Sequence, residues 1–377
     1  MRQLIMVAKS PWLPSIRREH ALADEAIGHD VAVTFVEAPN DVRALRPATA
    51  PAWLRRLGIS RHRSASTGPV VVERSTFVPG HRHPLAAAAD NALLGRQLRR
   101  LITQEDGQTA VVVNLPWQWP AVAGLPARRI FDAADDWNAL LGEERSHVRT
   151  LYRRVAAEAD VVIIANPALE ALFDGRDTVL VPNGTPADLV QHTPHPRPFG
   201  RRLVYAGTLT HRFDAELMGA VLTLLPGWQL DLYGECRYPG YRTEPAPELV
   251  NLLSRYSAQV RWHGVVSRSE LGPALDAADV AVVPHRIAYT HGQSSMKLAD
   301  YAARGRPIVR TTGDAASDAD APPGTWTAGT AGDFAAAVVA AYSTTQHATP
   351  AVAWARERTW PNRWPAWSAA VFDSAPA

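Results

Sequence analysis

Residues 294–309, SSMKLADYAARGRPIV, set Lys297 and Asp300 three positions apart, follow them with an alanine-rich run and a glycine, and end in a proline-led apolar stretch. Ser294 or Ser295 suits an N-cap, the helix runs through Tyr301, and the apolar stretch reads as a buried strand. A helix feeding such a strand is half of a parallel α/β unit, and the same alternation extends in both directions. RRLVYAG, WQLDLYG, QVRWHG, DVAVVP and RPIVRT are short runs rich in β-branched residues, separated by helix-length segments. They predict one α/β domain over residues 201–355.

Upstream, strands are expected near Leu4–Val7, Val31–Val36, Ala110–Asn114, Arg129–Phe131, Val161–Ala165 and Val179–Val181. Several are apolar at successive positions, as strands covered on both faces must be. They predict a first α/β domain over residues 1–185. The stretch TPADLVQHTPHPRPFG at 185–200 carries four prolines and little periodicity, so residues 186–200 read as a linker. The aromatic tail within 356–377 must pack on something, and the first domain is the expected platform. Residues 50–80 are too mixed in pattern to place.

A chain of 377 residues accommodates two cores of ordinary size. Its 39 Lys and Arg nearly balance 37 Asp and Glu, with no dense basic block to track a phosphate backbone, so no nucleic-acid partner is expected. Cys236 is the only cysteine, which excludes an intrachain disulfide framework and a cysteine-rich metal site and fits a reducing cytoplasm. MRQLIMVAKSPWLPS lacks the long apolar region of a secretory signal, and no window has the roughly 18 apolar residues of a membrane span. The pairs Arg99-Arg100 and Arg153-Arg154 could still rest on anionic lipid, giving peripheral contact at the inner face of the membrane.

Ligands of doubly wound sheets sit beyond the carboxyl ends of the strands. The first strand is followed by AKSPWLPS, without the glycines of a dinucleotide fingerprint, and no GxxxxGK[ST] loop occurs. In the second domain three of four strand exits carry a glycine: Gly207 before Thr208, Gly234 before Glu235, and Gly264 before Val265. The fourth ends in Val283-Pro284-His285. Glycine there permits close backbone approach or a positive φ, which favours a bound nucleotide.

The polar loop AYTHGQSS, with His291, Gly292, Gln293, Ser294 and Ser295, leads into the opening helix. The free N–H groups of that helix start suit a diphosphate, Lys297 adds charge, and Asp300 could accept from ribose hydroxyls. A solvated ladder of Lys297, Asp300 and Arg304 is the competing reading. In the first domain, FDAADDWN offers Asp132, Asp135 and Asp136, with Asp135 or Asp136 preferred for acceptor chemistry over Asp132. Such acids can hold a divalent cation, act as a base, or cap the next helix. Trp117 and Trp119 of NLPWQWP could stack on a sugar or simply pack, and His20 and Arg17 are weaker candidates. No GxSxG elbow is present and Cys236 has no evident catalytic partner.

These residues also carry a family resemblance. YAGTL, WQLDLYGE, VRWHGVVSRSELGPALDAADVAVVP and SSMKLADYAARGRPIV resemble the donor domain of GT-B glycosyltransferases, more narrowly of glycosyltransferase family 4. FVEAP, NLPWQWP, FDAADDWNALLGEE and ADVVIIANPALEALF followed by VLVPNGTP are similar to a bacterial teichuronic-acid-type subgroup. The resemblance implies two Rossmann-like domains facing across a cleft, with a C-terminal helix crossing back to the first. It implies retaining, metal-independent transfer of a hexosyl unit from a nucleoside-diphosphate sugar to a hydroxyl acceptor: a glycan, a lipid-linked glycan or a secondary metabolite. No bound cofactor is implied. By resemblance, Asp300 binds the ribose, Ser294, Ser295 and Lys297 meet the diphosphate with Gly207, Thr208 and Arg212, and Val265 beside Gly264 reads the base. The family's first motif acid falls at Gly292, so contacts there would come from backbone or from His291 and Gln293. A nucleotide-sugar 2-epimerase or a non-catalytic relative shares the same fold.

Overall fold

The computed structural model describes residues 2–10, 12, 17–37, 62–64, 70–72, 84–102, 109–141, 146–237, 243–289, 295–313 and 320–373. The chain divides into two compact units, Met1–Asn183 with Arg363–Ala377, and Gly184–Asn362.

Unit 1 is built on β1 (Gln3–Val7), β2 (Ala32–Val36), β3 (His62–Ser64), β4 (Val70–Val72), β5 (Thr109–Val113), β6 (Arg128–Ala133), β7 (Val161–Ile164) and β8 (Val179–Leu180). The order is β3-β4-β2-β1-β5-β6-β7-β8, and every pairing is parallel except β3 with β4. β1 lies between β2 and β5 and is buried at all five positions, which explains its unbroken apolar run. The helices are α1 (Arg18–Gly28), α2 (Pro84–Leu101), α3 (Trp119–Val122), α4 (Trp137–Leu140) and α5 (Ser146–Glu158). Phe131 of β6 meets Trp119, Tyr152 and Phe173 edge-on at ring separations of 6.2, 6.1 and 6.0 Å, a favourable arrangement that locks α3 and α5 onto the sheet.

Unit 2 contains β9 (Arg202–Ala206), β10 (Gln229–Tyr233), β11 (Val260–Gly264), β12 (Val280–Val283), β13 (Ile308–Thr311) and β14 (Thr325–Ala328), ordered β11-β10-β9-β12-β13-β14 and parallel throughout. The strand order reverses between β9 and β12, so the crevice expected of such a sheet opens beyond Ala206 and Val283. The helices are α6 (Ala215–Leu224), α7 (Pro247–Arg255), α8 (Arg268–Asp276), α9 (Met296–Ala303), α10 (Ala331–Ser343), α11 (Ala348–Glu357) and α12 (Trp360–Phe372), the last continuing into unit 1. No helix among the described residues is long and apolar enough to cross a membrane.

Two boundaries differ from the sequence expectation. Residues 186–200 are part of unit 2 and not a free linker. Prolines deny this segment a regular ladder, and arginine side chains take its carbonyls instead: Arg304 donates to Leu189 O, Arg306 to His195 O and Arg356 to Gln191 O. Likewise residues 356–362 stay with unit 2, because α11 packs Ala351 and Ala355 against Ala302 and Ala303 of α9. From Arg363 onward the chain clusters with unit 1, where Trp367 is fully buried and its indole N–H donates to Asp132 Oδ2 at 3.3 Å. β14 had no expectation attached; its sequence TWTA is short, half-exposed and without a long apolar signal.

Candidate active site

The site of unit 2 begins with three glycines at strand exits, all in positive φ: Gly207 at +152°, Gly234 at +133° and Gly264 at +73°. Two of them are fixed by packing as much as by dihedral. A side chain on Gly234 would run into Gly207 O, and one on Gly207 would run into Cε of Lys297. The loops interlock through Gly207 N–H to Tyr233 O (2.8 Å) and Gly234 N–H to Gly264 O (2.6 Å). The positive φ expected at these exits is present, and at Gly207 and Gly234 the absent side chain also makes room for loop-on-loop contact.

Over this floor lies Lys297, in the first turn of α9, its ammonium 5.5 Å from the Tyr205 ring centroid. The helix is held to β9 by the buried phenol of Tyr301, which accepts from Ala206 N–H at 2.8 Å. Ser295 stands at the N-cap position but makes no side-chain cap; its Oγ is buried without a hydrogen-bond partner. A helix start with an unoccupied hydroxyl and nearby cations is competent to receive an anion.

Asp300, one turn beyond Lys297, accepts from Thr185 Oγ1 at 2.7 Å. Burial pushes its carboxyl up to about 6, against the opposing effects of the Thr185 hydrogen bond, Lys297 and Arg268. The solvated ladder is not formed: Arg304 instead pairs with Asp276, donating from Nε at 3.0 Å.

Arg212 and Arg310 join Lys297 around a neutral histidine, His285. His285, two residues past β12, is buried, its Nε2 lies 3.5 Å from Tyr205 Oη, and its carbonyl accepts from Thr311 Oγ1 at 2.6 Å. Burial, then Lys297, Arg212 and Arg310, holds its imidazole well below the usual histidine range, so it is neutral at pH 7. Arg310 is registered beside Val283 on β13 and is itself buried. Arg212 reaches the same place through a turn whose carbonyl accepts from Arg286 N–H at 2.8 Å. Lys297, Arg212, Gly207, Thr208 and Ser295, which the sequence reading expects at a diphosphate, lie in one strand-exit region. That reading assigned no role to His285 or Arg310, although an arginine inside the apolar run RPIVRT was the available signal. Val265 is exposed beyond Gly264 at the end of β11. His291, Gly292, Gln293 and Ser294 lie outside the described residues.

In unit 1 the three acids have separate partners. Asp136 caps α4, accepting from Asn138 N–H at 2.8 Å and Ala139 N–H at 3.3 Å. Asp132 is fully buried and bonded by Arg18 Nε at 2.9 Å. Asp135 pairs with Lys9 at 2.8 Å and is the most accessible of the three. Only Asp135 thus retains the exposure an acceptor-side role needs, whereas Asp136 is committed to the capping alternative. Trp119 is core, with its N–H on Glu158 at 2.9 Å, while Trp117 lines a groove of about 930 Å³ between α2, α3 and α5. His20 is buried against Trp12 and Phe35 and accepts from Arg17 N–H.

Comparison with known proteins shows what this arrangement is similar to. Residues 200–344 match the family of glycosyl transferases group 1. Over the whole chain, the structure is similar to sucrose-phosphate synthase of Thermosynechococcus elongatus, with a TM-score of 0.73, 15% identity and 98% of both chains covered. The fold is that of the GT-B glycosyltransferases. Further GT-B likenesses are Anabaena HepE in complex with UDP and glucose (TM-score 0.65, 15% identity, 98% of both chains) and S. aureus TarM in complex with UDP and α-GlcNAc-glycerol (0.69, 10% identity, 99% of this chain and 100% of that one). No curated sequence matches the chain. The glycosyl transferases group 1 match spans all six strands of the unit 2 sheet, from β9 to α10.

Proposed function

We propose that this protein is a retaining hexosyltransferase whose donor is a nucleoside-diphosphate sugar bound at the strand exits of unit 2. The observation that carries the reading is the convergence of Lys297, Arg212 and Arg310 around neutral His285, beside a helix start whose Ser295 hydroxyl is unoccupied. Preorganised cations and N–H donors act where negative charge develops, here on the departing diphosphate. Asp300 takes the ribose hydroxyls, Gly207 and Thr208 border the diphosphate, and Val265 lies at the base. UDP is the first donor base to try, because HepE and TarM of the same fold were each obtained in complex with it. The leaving phosphate accepts the proton of the acceptor hydroxyl, so neither a protein nucleophile nor a metal ion is required. On the acceptor side, Asp135 is the residue with exposure and charge to orient a hydroxyl.

The test is incubation with UDP-hexoses and a panel of glycan, lipid-linked and small hydroxyl acceptors, followed by NMR of the product's anomeric coupling. Product retaining the donor's configuration, formed equally in EDTA, is the expected result. Inverted product would overturn the retaining assignment, and isomerised donor without any acceptor would identify an epimerase.

A further inference from the structure

We propose that unit 1 docks on an anionic lipid bilayer through the outward face of α2, with the adjoining groove receiving an acyl chain. At 100° per residue, Leu85, Ala88, Ala89, Ala92, Leu93 and then Arg96, Arg99 and Arg100 share one side of this helix. All eight are exposed. The opposite side, including Leu94 and Leu98, is buried in the core. A helix on a protein surface ordinarily shows water its polar side. Here the solvent side is apolar for more than two turns, with Leu85 78% and Leu93 58% exposed, and then cationic in the last turn.

Among the described residues those three arginines have no acidic partner, and the helix's one acid, Asp90, is half-buried and lies about 130° away from their face. The arginines of α5 differ, since Arg154 pairs with Glu158 and Arg153 with Asp174. Free guanidinium groups next to bare leucines match the two layers of a membrane interface, phosphate above and hydrocarbon below. The flanking groove of about 930 Å³ runs along α2 from Pro84 to Arg99 and is walled by Ala87, Ala92, Gly95, Trp117 and Leu151. Its length, about 22 Å at 1.5 Å per residue, and its apolar walls suit an extended alkyl chain. A protein partner would need acidic groups for the arginines; a bilayer supplies phosphates in excess.

The experiment is co-sedimentation of the full-length protein with phosphatidylcholine vesicles, with and without phosphatidylglycerol, in the absence of any sugar nucleotide. The protein is expected to sediment only with the anionic vesicles and to be released by salt. Replacing the three arginines (Arg96→Gln, Arg99→Gln, Arg100→Gln) should lower partitioning about 100-fold, from the usual contribution of a basic residue at such a surface. The pair Leu85→Ser and Leu93→Ser should release it with an unchanged melting midpoint, because both side chains are exposed. Protein that stays in the supernatant with both vesicle types would overturn the proposal, and so would variants that sediment like wild type or equal binding to neutral vesicles. None of these outcomes bears on the donor site, which is tested separately.

Discussion

At the scale of single residues, Asp300 and Lys297 give the sharpest expectations. An aspartate whose folded value is about 6, above its unfolded value of 3.8, holds a proton longer in the native state than in the unfolded chain. Its contribution to stability is therefore complete below pH 3.8 and is lost as pH rises through 6, at a cost of at most about 3 kcal/mol. Asp300→Asn should raise the melting midpoint at pH 7.5 and leave it nearly unchanged at pH 3.5, while weakening nucleotide binding. Thermal melts of both proteins across that range check it; an equal shift at both pH values would refute the burial account of Asp300. His285 works in the opposite sense. Its depressed value means that stability present above pH 6.5 declines as the unfolded chain takes up the proton below it, and His285→Gln should flatten that decline. Trp119→Ala should cost about 3–5 kcal/mol as a cavity in the unit 1 core, measured by urea unfolding, whereas Trp117→Ala at the groove wall should cost far less.

At the scale of elements, the exits of β9, β10 and β11 and the start of α9 form one interlocked assembly. Gly207→Ala would force a side chain into positive φ and into Lys297, so it should cost about 1–3 kcal/mol and displace the lysine. Donor affinity, measured by calorimetry, should fall with it; unchanged affinity would show that Lys297 does not need its seat on Gly207. The elements that define this assembly were legible in the sequence because each leaves a strong local mark: a continuous apolar run for β9 and β12, a glycine after β9, β10 and β11, a serine before α9. Segment 186–200 was not legible, since its order comes from Arg304, Arg306 and Arg356, which are far away in sequence. β14 left no mark either, being an edge strand of four residues of which only Ala328 is buried. His285 and Arg310 were hidden for a related reason. Neither follows a motif, and their meaning appears only when β12 and β13 are paired and the charges are seen to converge.

At the scale of the whole molecule, two sheets, one parallel throughout and one parallel except at the β3–β4 edge, provide two sets of carboxyl-edge loops, and the chain distributes its chemistry between them. The cations collect in unit 2, where a diphosphate is proposed; the buried acids Asp132 and Asp136 are structural in unit 1, leaving Asp135 accessible. Two α/β domains could be read from alternation and the GT-B fold only from the family resemblance, but the division of labour among three neighbouring aspartates could not be read at all, because capping, ion pairing and catalysis use the same side chain. The measurement that tests the central claim most directly is isothermal calorimetry of UDP with wild-type protein and Lys297→Ala, each in EDTA. Metal-independent binding by the wild type, weakened about 10- to 100-fold in the variant as loss of a charged phosphate contact requires, is the predicted result. No UDP binding by the wild type, with GDP and TDP equally silent, or an unchanged affinity in Lys297→Ala, would contradict it.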